Sequence, residues 1–168
     1  MALSKLTELR LRRRHRLRRK EVESLASELH EVLGCQTFDP LDVVDVGDAG
    51  GKDVVVFRGK PMAMYIDGVP FLTVHGLLAF PAAKRHVTVD MGAVKFLANG
   101  ADVMAPGIVD ADPGIKEGMS VWVRDQNNKR PLLIGTALMT GLQMKAGTGG
   151  KAVKTIHYVG DKLWNLEA

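Results

Sequence analysis

Apolar residues in the first part of the chain recur at helical spacing. Val22, Leu25, Ala26, Leu29, Val32 and Leu33 fall at i, i+3, i+4 and i+7 positions, the pattern of one buried helix face. Gly34 stands where a C-terminal cap is needed. Leu6, Leu9 and Leu17 extend the set less regularly, so the pattern predicts one long helix over residues 3–33, with its arginine-rich part projecting or bending. The acids of "EVESLASELHE" lie in its second half and are poorly matched to the helix's own C-terminal dipole. Arginines elsewhere are expected to offset them.

After Gly34 the period changes. "LDVVDVG", "KDVVVFRG", "PMAMYIDG" and "VPFLTV" are short β-branched runs separated by the turn signals "GDAGG", "RGKP" and "DGVP". "VHGLLAF" reads as one or two helical turns ending at Pro81, and the polar "PAAKRH" places a domain boundary near residues 82–85. The second half reads as strand "HVTVD", a short helix "MGAVKFLANG" with Asp90 as N-cap and Gly100 as stop, and a strand "ADVMAPGIV" broken by Pro-Gly. "MSVWVRD", "PLLIGTALM" and "KAVKTIHYV" are further strands, and "VGDKLWNL" opens with a tight Gly-Asp turn. Many short strands with one small helix predict a partly closed barrel.

Composition adds little to this until charge is mapped. The chain has 168 residues, is 46% hydrophobic and 25% charged, and suits one domain or two small ones. No window approaches the ~18 apolar residues of a membrane span. The basic N-terminus lacks the apolar core of a secretory signal, and "EVESLASELHE" is too acidic for an organellar transit peptide. With a single Cys35, these features predict a cytoplasmic protein without an internal disulfide. The net charge of +4 is unevenly spread. "RLRRRHRLRRK", Arg10 to Lys20, holds eight of the 23 Lys and Arg; the rest of the chain has 15 basic and 19 acidic residues. A basic stripe on a mildly acidic body points to a polyanion, nucleic acid or anionic membrane surface, against the alternative of a merely solvated helix face.

Sites of chemistry do not emerge. The five histidines show no HExxH spacing and there is no CxxC, so no metal site is expected. His157, in an apolar strand, reads as a hydrogen-bonded structural histidine, and Cys35 as a buried inert thiol. Asp39, Asp42, Asp45 and Asp48 lack the alternation and late Glu of a calcium loop and read as turn and cap residues. "GTGGKA" departs from the nucleotide-binding loop at Lys145 and Ala152, which leaves a Gly-rich turn. No catalytic residue and no cofactor is expected.

The ordered run "VTVDMGAVKFLANGADVMAPGIV" resembles the opening of a PUA domain, an RNA-binding module. The resemblance continues through "IKEGMSVWVRD", "PLLIGTALM" and "GKAVKTIHYVGDKLW". The tail "IHYVGDKLW" narrows it to the family of the malignant T-cell-amplified protein, its relative ligatin and their archaeal counterparts. The resemblance implies an α+β chain: an N-terminal α/β pre-PUA domain over residues 1–81, then a C-terminal PUA-type β pseudo-barrel over 84–164. It implies a groove between the "GADVMAPGI" loop and the "GKAVKTIHY" strand. There Gly92, Gly100 and Gly107 would allow close backbone approach, Lys95, Lys151 and Lys154 would contact phosphate, and Met104 and Pro106 would offer apolar surface to an unstacked base. Met104 fits a core role equally well. Ala105 replaces a residue that is often basic in archaeal members, and Met91 stands where a charge is common. The resemblance therefore leaves a larger share to Arg12, Arg13, Arg14, Arg16, Arg18, Arg19 and Lys20 as phosphate contacts.

Function follows as an expectation: a non-catalytic RNA-binding protein of the translation apparatus. By resemblance its RNA would be tRNA or rRNA, at the small ribosomal subunit or the tRNA acceptor end, in initiation, reinitiation or recycling. A second translation-factor protein is an expected partner and a membrane is not. The alternative is an RNA-targeting accessory subunit of a tRNA- or rRNA-modifying enzyme such as a transglycosylase or pseudouridine synthase.

Overall fold

A computed structural model describes residues 8–168. The first half forms a five-stranded antiparallel sheet in sequential order: β1 (Leu11–Arg16), β2 (Val44–Ala49), β3 (Lys52–Phe57), β4 (Lys60–Ile66) and β5 (Val69–Leu72). Helix α1 (Arg19–Leu33) covers it with Val22, Leu25, Leu29 and Leu33, each at most 1% exposed. Burying such side chains contributes about 1.5–3 kcal/mol apiece. Gly34 ends the helix in the left-handed conformation, its N–H donating to the His30 carbonyl.

The arginine-rich stretch departs from the expected helix. Residues 3–7 lie outside the described residues, Leu11–Arg16 is a strand, and the helix begins only at Arg19. The reason is charge. A helix would crowd these cations over a few turns, whereas the strand places Arg12 opposite Asp48 and Arg16 opposite Asp45. Opposite charges directly across an antiparallel pair stabilise the register. A bulge between Arg12 and His15, with Arg13 at φ 53°, lets the edge strand bend. Gly47 sits opposite it, where a Cβ would come within 2.7 Å of the Leu11 side chain and 2.9 Å of the Arg12 carbonyl. The helical acids also find local partners. Glu21 accepts from the Arg18 backbone N–H at 2.9 Å, and Glu23 lies 3.5 Å from Arg19.

Helix α2 (Val74–Ala79) follows, capped by Thr73, whose hydroxyl accepts from Gly76 N–H. The second half is a curled six-stranded sheet in the order β7-β11-β10-β9-β6-β8. Its elements are β6 (His86–Val89), α3 (Met91–Leu97), β7 (Val103–Met104), β8 (Ile108–Ala111), β9 (Ser120–Asp125), β10 (Pro131–Ala137), α4 (Gly141–Ala146) and β11 (Lys151–Tyr158). Among the described residues only β6 and β9 pair in parallel. Helix α4 was not among the expected elements. Thr140 and Gln143 cap it reciprocally, at 2.8 and 3.2 Å, a T-x-x-Q signal present in the sequence.

Two apolar cores result, and the division is not a clean cut in sequence. Val87 to Val153 supply the second core, yet Trp122, Ile134, Leu163 and Leu166 belong to the first. Polar contacts join the halves as well. The Val74 N–H donates to His157 Nε2 at 3.2 Å, and the His75 ring stacks on Trp164 with centroids 3.7 Å apart.

Candidate nucleic-acid interface

Asp90 builds one wall. Its carboxylate accepts from Ala93 N–H at 3.0 Å and starts α3, while its own N–H donates to the Gly107 carbonyl at 2.9 Å. The start of the helix and the end of the loop are thereby tied together. Gly92 is exposed in the first turn of α3. A Cβ on Gly107 would reach Ala93 Cβ at 3.4 Å, an ordinary contact. Pro106 is exposed in the 3-10 turn Ala105–Gly107. Lys95 is exposed on α3, its ammonium 5.6 Å from the ring centroid of Phe96, which is itself 61% exposed.

The loop then runs along β11. Met104 pairs opposite Lys151, Ala105 N–H donates to the Gly150 carbonyl, and Thr155 binds Asp102 and the Ala101 carbonyl at 2.9 and 2.8 Å. The Thr155 N–H, and to a smaller degree Lys151 at 3.3 Å, hold the Asp102 carboxyl below the usual range against the opposing effect of its partial burial. Gly100 closes the loop at φ 84°; a Cβ there would sit 2.7 Å from the Tyr158 ring. Thus Gly100, Met104, Lys151 and Lys154 share one seam, and Gly92, Pro106 and Gly107 lie about the start of α3. Met104 is 47% exposed, which excludes the core-filling role. Ala105 is fully buried and contributes no surface.

The arginine stripe is divided by its partners. Arg14 and Arg16 both donate to Asp45, at 2.7 and 2.5 Å. Those two hydrogen bonds, Arg16 first, hold the Asp45 carboxyl below its ordinary value. Asp45 is therefore an arginine clamp rather than the turn or cap residue the sequence suggested. Arg19 is paired with Glu23. Arg12, Arg13, Arg18 and Lys20 are exposed and have no ion-pair partner among the described residues.

A groove of about 1240 Å³ joins the two regions. Arg10, Leu11 and Arg14 line one side; Ile156, Tyr158 and Lys162 line the other. Glu8, Asp161 and Glu167 line it as well, and no residue of the 100–107 loop does; Tyr158, at the end of β11, packs its ring against Gly100 at the groove's side. Sequence reasoning missed Tyr158, Lys52 and Lys162. Only the first had a signal, its place at the end of the "GKAVKTIHY" strand already set as a groove wall. The lysines had none, because the groove is assembled from both halves of the chain.

His157 is 1% exposed beneath this surface. Its Nε2 accepts from Val74, so Nδ1 carries the proton and donates to Asp161 at 2.9 Å. Burial works against ionisation of Asp161, but hydrogen bonds from His157, Trp164 and Tyr158 together outweigh it and lower its pKa. The histidine is a structural strut between the halves. Cys35 is buried, and desolvation pushes its thiol upward. Among the described residues no group of three or more His, Cys, Asp or Glu could hold a metal ion. No described helix is long and apolar enough to cross a membrane.

Comparison with known proteins agrees with this geometry. Residues 85–159 match the family model of the PUA domain. The crystal structure of a hypothetical protein from Pyrococcus horikoshii superposes with a TM-score of 0.77 at 39% identity, covering 90% of this chain and 97% of that one. Mouse malignant T-cell-amplified sequence 2 is 30% identical over 77% of this chain and 72% of its own length. Translation machinery-associated protein 20 of Saccharomyces cerevisiae is 37% identical over 52% of this chain, and the match spans about half of that relative, 51%. With an α+β architecture, a curled sheet at the matched residues and relatives of this kind over most of its length, the chain belongs to the PUA-domain family that includes the malignant T-cell-amplified sequence proteins.

Proposed function

We propose that this chain is a non-catalytic RNA-binding protein of the translation apparatus, acting in the cytoplasm at the small ribosomal subunit or the tRNA acceptor end. Residues 1–81 act as the pre-PUA domain and 84–164 as the PUA domain. The observation that carries the reading is a groove bordered by Arg10 and Arg14 of the basic stretch on one side and by Ile156, Tyr158 and Lys162 of the PUA half on the other. Arg12, Arg13, Arg18 and Lys20 take backbone phosphate, with Arg14, Arg16 and Arg19 adding to the field from their ion pairs. Lys95, Lys151 and Lys154 take phosphate at the second wall, and Gly92, Gly100 and Gly107 let the RNA backbone come close. Met104 and Pro106 support an unstacked base or ribose. The names of the fungal relatives support translation as the setting, in initiation, reinitiation or recycling, with a second translation-factor protein as partner.

The test is co-sedimentation with small ribosomal subunits across a salt series, with free tRNA as competitor. Binding that falls steadily with salt and is displaced by tRNA is expected. No sedimentation at low salt would remove the ribosome from the proposal.

A further inference from the structure

A second concavity lies at the junction of the two halves and shares no lining residue with the groove. Its volume is about 500 Å³. The end of α2 and the linker supply Leu78 and Pro81, and the β9–β10 hairpin supplies Arg124, Lys129 and Arg130. No acidic side chain lines it. Among the described residues none of the three cations has an ion-pair partner.

These cations are held in place before any ligand arrives. Arg124 Nε donates to Thr88 Oγ1 at 3.0 Å, and its guanidinium lies 5.4 Å from the Trp122 ring centroid. That fixes the planar fork and leaves its terminal nitrogens for a ligand. Asp125 is 4% exposed and accepts from the backbone of Asn128 and Arg130 at 2.6 and 3.3 Å. It therefore fixes the turn that carries Lys129 and Arg130, and it forms no ion pair with either. Three cations against one buried carboxylate leave the cleft net positive, and an anion docking there relieves their mutual repulsion.

We propose that this cleft is a second phosphate site, separate from the groove, taking the sugar–phosphate backbone of RNA. The inference rests on the RNA-binding reading above. A diester backbone fits better than a nucleotide, because Trp122 is 4% exposed and offers no face for a base to stack on. The apolar rim of Leu78 and Pro81 suits a ribose edge. An RNA that engages groove and cleft together is held at two separate points, which orients it as well as holding it.

The test uses the full chain with oligouridylate and bulk tRNA as probes, measured by fluorescence anisotropy across a salt series. The double variant Lys129→Gln/Arg130→Gln is compared with Lys60→Gln/Lys116→Gln, which removes the same charge elsewhere. The cleft variant should bind about fivefold to tenfold more weakly, with a salt slope shallower by roughly 1 to 2 and an unchanged melting temperature. The control should change affinity less than about twofold by the loss of net charge alone. If the cleft variant behaves like the control while the wild type binds RNA, the second site is wrong and the groove stands. If the wild type binds neither RNA, both readings fall. A loss confined to phosphatidylglycerol vesicles would overturn RNA as the occupant.

Discussion

Along β1, four of six residues are arginine, and the strand's shape is fixed by its neighbours: Asp45 and Asp48 across the ladder and Gly47 under the bulge. Along the 100–107 loop the chain carries no basic residue, and shape is set by Gly100, the Asp102–Thr155 bonds and the tie from Asp90 to Gly107. One wall presents charge with little contour; the other presents contour with a few lysines nearby. The difference teaches how such a surface divides its work. Exposed arginines supply range and salt-sensitive affinity for any polyanion. A preformed backbone wall selects a shape, because it costs little ordering when the ligand docks.

The comparison breaks most sharply if the charge is reversed. The triple variant Arg12→Glu/Arg13→Glu/Arg18→Glu should weaken RNA binding by about a hundredfold at low salt and make the salt slope shallower by roughly 3. Titration at several salt concentrations measures both. An unchanged slope would show that β1 does not meet phosphate. At the other wall, Gly100→Val sets a Cβ against Tyr158 in a left-handed conformation. It should lower stability by about 1–3 kcal/mol and RNA affinity by about tenfold, with the salt slope retained. Denaturant melts and the same titration separate the two effects.

A smaller effect comes from the clamp between charge and fold. Asp45→Asn removes the charge and one of the two oxygens that hold Arg14 and Arg16, which are 44% and 61% exposed, so solvent screening limits the loss to about 1 kcal/mol. RNA affinity should hold or rise slightly, because two guanidinium groups are released. A fall in affinity would mean the clamp positions them for RNA. The smallest effect is a pH dependence. Asp45 and Asp161 have carboxyls lowered in the fold, so their contribution is fully present above the unfolded value of about 3.9 and is lost as pH falls through the native values. Urea midpoints should be flat from neutral pH to about pH 5 and drop below about pH 4.

Much of the fold was legible. The period-3.6 stripe of α1, the Gly34 stop, the β-rich runs and the Asp90 cap all appear where local pattern placed them. The first strand was not legible. Leucines at 9, 11 and 17 and a run of arginines carry no period of their own, and only pairing with the acids of β2 made Leu11–Arg16 extended. Helix α4 was missed because six residues hold too few apolar positions to show a period, although its Thr140–Gln143 box was readable.

By itself, then, the sequence determined the local elements and the ordered motif from Val87 to Val109, because these depend on residues close together in the chain. It also determined that the positive charge is gathered in one stretch. Tertiary structure decided which charges remain available, since Asp45 lies 31 and 29 residues from the arginines it holds. It decided that the edge strand and the end of β11 border one groove, and that a second basic cleft forms at the junction. Those features are made by contacts between segments far apart in sequence, and no local pattern encodes the distance between them.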